Sequence, residues 1–539
     1  MNEYDFIVVG AGSSGCVVAA RLSENGRYKV LLLEAGPSDR RFWIQTPIGY
    51  GKTFYDPDVN WMYKTEAEPH LDGRIVYQPR GKVLGGSSSI NAMVYSRGSA
   101  DDFDGWEALG NPGWGWRDVL PVYRRLEDHA LGAGPWHGAG GPLHVSTIAA
   151  TAHPLTAIFI KAAQETGLPF TADLNGDDIE GIGYYQINTT VTGYRASTAR
   201  AYLWPARGRE NLRIETGALV TKLLFEGRRA VGVAYEHKGR TIEARAGREV
   251  IVSGGAINTP QLLQLSGVGP AELLRSAGVE PLHDLPGVGA NLQDHLCYDH
   301  VYRSRLPTLN QVLGPMMARL RAGLQYMDRS TGPLALSVNQ GGGFLRTRPE
   351  LTAPDMQLYF SPLSYERAVP GVRALTKPDL FPGFSTSVSP CHPTSRGHVA
   401  IRSGDPNEAP LIQPNYLSTA QDVDDLLAGA RILRSLARTP SFRNLIVEEK
   451  KPGVAAQSDA ELVADIRARA YSVFHPCGSC AMGPDATRAA VDSHLRVHGL
   501  AGLRVIDASI FPAITSGNTN APAIMVGEKG ADLVLEDAQ

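Results

Sequence analysis

The chain has 539 residues, enough for several domains and a large core, and its 52 Lys and Arg nearly balance 55 Asp and Glu, for a net charge of −3. That balance supplies no general pull toward nucleic acid or an anionic membrane, and 43% hydrophobic with 20% charged residues excludes a disordered or fibrous chain. Five cysteines cannot form a disulfide framework at this length and fit a reducing compartment. The acidic start, Met1 to Asp5, lacks a signal-peptide pattern, and no apolar run approaches the ~20 residues of a membrane-spanning helix, so a soluble cytoplasmic protein is expected.

Residues Tyr4 to Val9 read as a short buried strand, followed at once by Gly10-Ala11-Gly12-Ser13-Ser14-Gly15 and a helical stretch, Cys16 to Leu22. A second apolar run, Tyr28 to Leu33, ends in Glu34 and Ala35, with Glu34 standing 19 residues beyond Gly15. Strand, glycine turn, helix and acid in this register form the pattern of a dinucleotide fold. Gly10 permits the tight turn, Gly12 lets backbone approach a pyrophosphate, Gly15 lets helix and strand pack closely, and the helix N-terminus attracts phosphate. Glu34 accepts from ribose hydroxyls. The motif alone does not separate NAD from FAD.

Further along, Gly81 to Asn91 joins the diglycine Gly85-Gly86 to the serine run Ser87-Ser88-Ser89, which reads equally as a capped surface turn or as a loop passing close to a flat cofactor. Gly132 to Gly141 reads as a loop. Val250 to Ser253 is strand-like and runs into Gly255-Ala256-Ile257-Asn258-Thr259-Pro260. Between Leu306 and Met327, the residues Leu309, Val312, Met316, Met317, Leu320 and Leu324 fall near helical spacing, predicting a helix that either packs on the core or covers the site as a lid. Near the end, Phe474-His475-Pro476-Cys477-Gly478-Ser479-Cys480 sets two cysteines three apart, but no second pair completes a zinc site and no metal is expected. Ser516 to Pro522 then precedes an apolar helical pattern from Ile524 to Leu535.

The glycine-rich segments at 10–15, 81–91 and 255–269 together resemble the signatures of the glucose-methanol-choline (GMC) family of flavin-dependent alcohol oxidoreductases. The likeness continues through Asn111-Pro112-Gly113-Trp114, Pro286 to His295, Ser395-Arg396-Gly397 and Asp507-Ala508-Ser509, and so spans practically the entire chain. It implies an α/β fold: a discontinuous Rossmann-like FAD-binding domain of residues 1–150, 206–296 and 470–539, and a substrate-binding domain of 151–205 and 297–469, built on an antiparallel sheet with flanking helices. It also implies that Gly10, Gly12, Ser13, Ser14, Gly15, Glu34 and Ala35 hold the ADP half of FAD, with the Val220 backbone at adenine. Gly85, Gly86, Ser87 and Asn91-Ala92-Met93-Val94 would line the flavin end, and Asp507, Ala508, Asn518 and Thr519 the rest of the cofactor. Members that attach FAD covalently do so through a histidine four residues before the signature lysine; that position is Gln78, so non-covalent FAD is expected.

The same resemblance gives His475 the place of the catalytic histidine and Asn518, 43 residues on, the place of its polar partner, with Asn520 as fallback; Phe474, His475 and Asn518 would meet the substrate. The chemistry suits these residue types. Oxidising an alcohol removes a hydroxyl proton and a hydride, and a neutral imidazole accepts the first while a flavin accepts the second. Asn518 would orient the substrate oxygen, and the positive end of the helix near Asn520 would face the charge of the reduced flavin. Many choline-specific members carry a glutamate four residues before Phe344, where this chain has Gln340, so an uncharged primary alcohol, aromatic or aliphatic, is favoured over choline. Phe474, Tyr359 and Phe360 read first as core packing and second as lining of an apolar pocket, and O2 or a quinone-like compound is the expected electron acceptor. The alternatives are a choline dehydrogenase and a redox-inactive, FAD-containing hydroxynitrile lyase.

Overall fold

Strand β1 (Asn2–Val9) ends in the run Phe6 to Val9, buried on both faces as a central parallel strand must be. These and the following features come from a computed structural model that describes residues 2–366 and 378–539. β1 pairs in parallel with β2 (Val30–Glu34), Val9 opposite Leu33, and β2 pairs in parallel with β3 (Leu212–Thr216). On the other side β4 (Ala218–Glu226), β5 (Arg229–His237) and β6 (Arg240–Val252) form an antiparallel meander, and the end of β6 lies parallel to β1, Val252 opposite Val9. The order is therefore β4-β5-β6-β1-β2-β3. Helix α1 (Ser13–Leu22) leaves β1 through Gly10, whose φ of +94° lies in the left-handed region open to glycine. A Cβ on Gly15 would stand 1.9 Å from the Gly10 carbonyl oxygen, so the close seating of α1 on β1 depends on that hydrogen side chain. Helix α2 (Gly255–Leu265) leaves β6 in the same manner.

A second sheet is antiparallel throughout: β7 (Leu296–Ser304), β8 (Gly341–Leu345), β9 (Met356–Ser361), β10 (Gly383–Pro390) and β11 (Ile446–Lys451) lie in the order β8-β9-β10-β7-β11, with β12 (Tyr471–Ser472) paired to the start of β7. Helix α3 (Met316–Arg329) falls between β7 and β8, and α4 (Ala420–Arg438) between β10 and β11. Successive strand residues alternate between faces. Leu358 and Phe360 of β9 and Phe384 of β10 pack with Phe159 of the helix Pro154–Glu165 and with Leu433 of α4, the rings of Phe159 and Phe360 stacking at 4.8 Å. Of the two readings open for Phe360, core packing is the one the structure shows. The neighbouring Tyr359 takes the other face, which looks into a cavity.

The chain then returns to the first sheet. β13 (Leu503–Val505) pairs in parallel with the end of β6, and α5 (Asn520–Asp537) packs against α1. The predicted helix around Leu306 to Met327 exists as the short helix Asn310–Leu313 followed by α3, yet α3 turns most of its large apolar side chains to solvent. The 132–141 loop carries no helix or strand, as expected. No helix among the described residues is long and apolar enough to cross a membrane.

Candidate active site

Because β1, β2 and the end of β6 run in the same direction, the turns after them open on one edge, the position at which parallel sheets bind ligands. A cavity of about 2220 Å³, its open mouth included, runs from that edge to the inner face of the second sheet. Its first part is walled by Gly10, Gly12, Ser13 and Ser14, by Glu34 and Ala35, by Gly86 and Ser87, and by Val220. Asp507, Ala508, Asn518 and Thr519 join from the end of the chain, and Asn91, Ala92, Met93 and Val94 lead toward the second sheet. Two predicted residues, Gly15 and Gly85, stand behind the wall and shape it through packing: Gly15 seats α1, and the Gly85 amide donates to the Ala11 carbonyl at 2.7 Å.

The electrostatics of this half favour an anion flanked by sugar hydroxyls. The N-cap residues of α1 and α5, Gly12 and Thr519, provide no side-chain cap, and both line the cavity, so two helix N-termini present their positive ends to it. Glu34 is buried, with one carboxylate oxygen accepting from the Ala11 amide and the other from the Gly36 amide, each at 2.9 Å. Burial pushes its pKa up to about 7. Lone pairs left over on that carboxylate suit hydroxyl donors. The Asp507 oxygens accept from its own surroundings: Gly255 N at 2.8 Å, Thr259 Oγ1 at 2.6 Å and Ser509 N at 2.7 Å. It lines the cavity while fixing the start of α2. Glycine turn, uncapped helix ends and buried acid along one trough together fit a dinucleotide.

At the far end the structure brings His475 and Asn518 together. Asn518 Nδ2 donates to His475 Nε2 at 3.0 Å, and Asn518 Oδ1 in turn accepts from Gln357 Nε2 at 3.4 Å. On the other side of the ring His475 Nδ1 meets His295 Nδ1 at 3.0 Å, and His295 Nε2 lies 2.8 Å from the Cys391 carbonyl. A carbonyl only accepts, so His295 carries its proton on Nε2; its bare Nδ1 then accepts from His475 Nδ1, leaving His475 Nε2 unprotonated. Burial, then the neighbouring His295 and Arg80, hold the His475 pKa well below 6.5, and burial lowers that of His295 to about 4. The site therefore contains a neutral imidazole with a defined basic atom on the cavity side.

The backbone supporting it is equally determined. The His475 amide donates to Asp294 Oδ1 at 2.8 Å, and Asp294 Oδ2 accepts from Ser472 Oγ at 2.6 Å and Gln78 Nε2 at 2.9 Å. Gln78 is buried in this network, away from the cavity lining. Phe474 holds φ +69°, a strained value for a bulky residue. Its amide donates to Ser472 Oγ at 2.8 Å and its carbonyl accepts from Arg80 Nη2 at 2.6 Å, which keeps it there. Asn520, the fallback, instead accepts from Ser13 Oγ at 2.9 Å. Tyr50, Phe54, Tyr359 and Phe474 supply aromatic walls, and Arg80 the cation, at this end. Gln340 lies outside the cavity lining, its Oε1 accepting from the His153 amide at 2.7 Å. Sequence reasoning assigned no role to His295, although it closes a stretch that carries the resemblance, or to Arg80, which stands just ahead of one. Cys477 and Cys480 are buried and unpaired. Among the described residues no group of three His, Cys, Asp or Glu is arranged to hold a metal ion.

Comparison with known proteins agrees with this geometry. Two family models, both described as GMC oxidoreductase, match residues 4–297 and 393–527. The chain is 44% identical to the mitochondrial choline dehydrogenase of Homo sapiens over 99% of its own length and 90% of that protein. It is 41% identical to an alcohol dehydrogenase [acceptor] of Pseudomonas putida over 99% of this chain and 96% of the other. Among solved structures, pyridoxine 4-oxidase from Mesorbium loti superposes with a TM-score of 0.88 at 32% identity, covering 98% of each chain. The chain belongs to the GMC oxidoreductase family as an FAD-dependent enzyme acting on alcohols.

Proposed function

We propose that the protein oxidises an uncharged primary alcohol to the aldehyde with non-covalently bound FAD, His475 serving as base and Asn518 as the group that orients the substrate. The observation that carries this reading is the unprotonated Nε2 of His475 on the cavity side, held by the proton arrangement from the Cys391 carbonyl through His295. A substrate hydroxyl placed there donates to Nε2, and Asn518 Nδ2, 3.0 Å from the same atom, is near enough to donate to the substrate oxygen as its proton leaves. Bound FAD supplies the hydride acceptor. Gly10, Gly12, Ser13 and Ser14 would hold its diphosphate, Glu34 its ribose, and the start of α5 the flavin edge that becomes negative on reduction. Gln78, engaged with Asp294, offers no group for a covalent tether.

The substrate preference rests on charge. The charged side chain at the reactive end is Arg80, while the acids of the lining, Glu34 and Asp507, belong to the cofactor half. A second reading, choline, is favoured by the names of the relatives and by the aromatic walls, whose π-faces attract quaternary ammonium groups. Anaerobic addition of benzyl alcohol, a linear primary alcohol and choline to the FAD-loaded enzyme separates the two through the rate of flavin bleaching. Uncharged alcohols should bleach it with a kcat/KM about tenfold or more above choline. The reverse order establishes choline, and no bleaching by any of them removes the redox reading in favour of a lyase. Admitting air afterwards distinguishes O2 from a quinone-like acceptor.

A further inference from the structure

Helix α3 is amphipathic with its polarity reversed. The side resting on the protein is formed by its two buried residues, Ala322 and Tyr326, and Tyr326 Oη donates to the Gly193 carbonyl at 3.1 Å. Its large apolar side chains face outward: Met316, Met317, Leu320, Leu324 and Met327 are 74, 58, 54, 58 and 76% exposed. At about 100° per residue these five share one arc of about 100°, on the opposite side of the helix from Ala322 and Tyr326. A helix of a globular domain ordinarily buries such a stripe, and a contiguous one left outside marks an interaction surface. Arg319 and Arg321, both exposed, border the arc on its two sides. Arg329 closes the helix, and Asp328 is its single acid.

We propose that this stripe seats the protein on an anionic lipid surface, with the methionine and leucine side chains at the acyl boundary and Arg319 and Arg321 at the level of the headgroups. An interfacial helix needs an apolar face flanked by cations, and α3 has both. The whole-chain charge of −3 hides this local excess of arginine. A second copy of the chain fits less well. A helix of 14 residues is about 21 Å long, so a stripe about 10 Å wide offers on the order of 200 Å², well under the ≈ 800 Å² per partner of a stable interface. The surface also lies beside the active site. Leu309 and Leu313, just ahead of α3, pack in one cluster with Tyr50 and Val338, and Tyr50 and Val338 line the cavity. The inference holds whichever alcohol is oxidised.

Sedimentation of the FAD-loaded full chain with vesicles tests it, using phosphatidylcholine alone and phosphatidylcholine mixed equally with phosphatidylglycerol. The protein should pellet with the mixed vesicles and much less with the neutral ones. Leu320→Gln with Leu324→Gln should lower its affinity for the mixed vesicles about tenfold or more, since both side chains are withdrawn from the apolar phase. Arg319→Gln with Arg321→Gln should abolish the preference for phosphatidylglycerol. Both double variants should keep wild-type turnover with a soluble dye as acceptor, which shows that they are folded. Failure of the wild type to sediment, or sedimentation unaffected by the leucine pair, overturns the proposal. Light scattering that shows a dimer dissociated by the leucine pair overturns it in favour of self-association.

Discussion

On the first sheet the groups that face the cavity lie just beyond or at the ends of strands: Gly10 after β1, Glu34 closing β2, Gly254 after β6. On the second sheet they lie within the strands, a single residue from each of three: Tyr359 on β9, Ser387 on β10 and Cys297 on β7. The first arrangement makes a site from backbone amides and helix ends, and therefore from short contiguous segments. The second makes a site from the face of a sheet, and therefore from residues far apart in the chain. A cofactor common to many enzymes is held by the first kind of wall, while the second kind can change its substrate one side chain at a time without disturbing a turn.

The largest effect should come from the residue at the junction of the two walls. His475→Ala should slow flavin reduction by 10²- to 10⁴-fold in anaerobic stopped-flow measurements while the visible flavin spectrum persists, because the base is lost and the cofactor wall is untouched. Loss of colour in that variant would erase the division between the walls. Gly15→Ala probes the first wall from behind. Its Cβ would fall 1.9 Å from the Gly10 carbonyl oxygen, and an overpacking penalty of about 1–3 kcal/mol shifted onto the glycine turn should weaken FAD binding about tenfold or more in a titration of the apoprotein.

His295→Leu removes the acceptor for His475 Nδ1, so the ring loses its defined tautomer, and flavin reduction should fall about tenfold, less than for removal of the base itself. His295→Gln, whose amide oxygen can accept the same proton, should restore much of it. The pH profile carries the sign. Only neutral His475 is active, and its pKa lies well below 6.5, so kcat/KM should be flat through neutral pH and fall only on the acid side of 6.5. The smallest catalytic effect is expected for Gln340→Glu, which should alter kcat/KM for choline by less than about threefold, since the side chain faces the His153 amide and not the cavity. Its cost should instead appear in thermal unfolding, at about 1–3 kcal/mol, because the Gln340 Nε2 donation to the Ser337 carbonyl is replaced by a buried acceptor facing an acceptor.

The contrast between the walls also explains what could be read from the residues alone. Gly10 to Glu34 is a single local unit whose spacing is imposed by strand, turn and helix, so its place at the cavity follows from the chain itself. His295 has no such signature: its meaning lies in His475, 180 residues away, and in which nitrogen each ring protonates. Tyr359 and Phe360 are chemically alike, and only the register of β9 sends one to the cavity and the other to the core. The spacing of Met316, Leu320 and Leu324 reveals a stripe on a helix but not the side on which the protein lies, and in α3 the stripe turned out to face away from it.

One arrangement in the first sheet bears on how the enzyme is made. The end of β6 at Val250–Val252 is flanked by β1 and by β13 at Leu503–Val505, and the residue that faces His475 arrives later still, at Asn518. A nascent polypeptide emerging from the ribosome therefore displays its glycine turn hundreds of residues before the elements that complete the same trough have been translated. Cofactor uptake should then be a late event in biogenesis, and a product truncated just before Leu503 should fail to retain a yellow colour on purification.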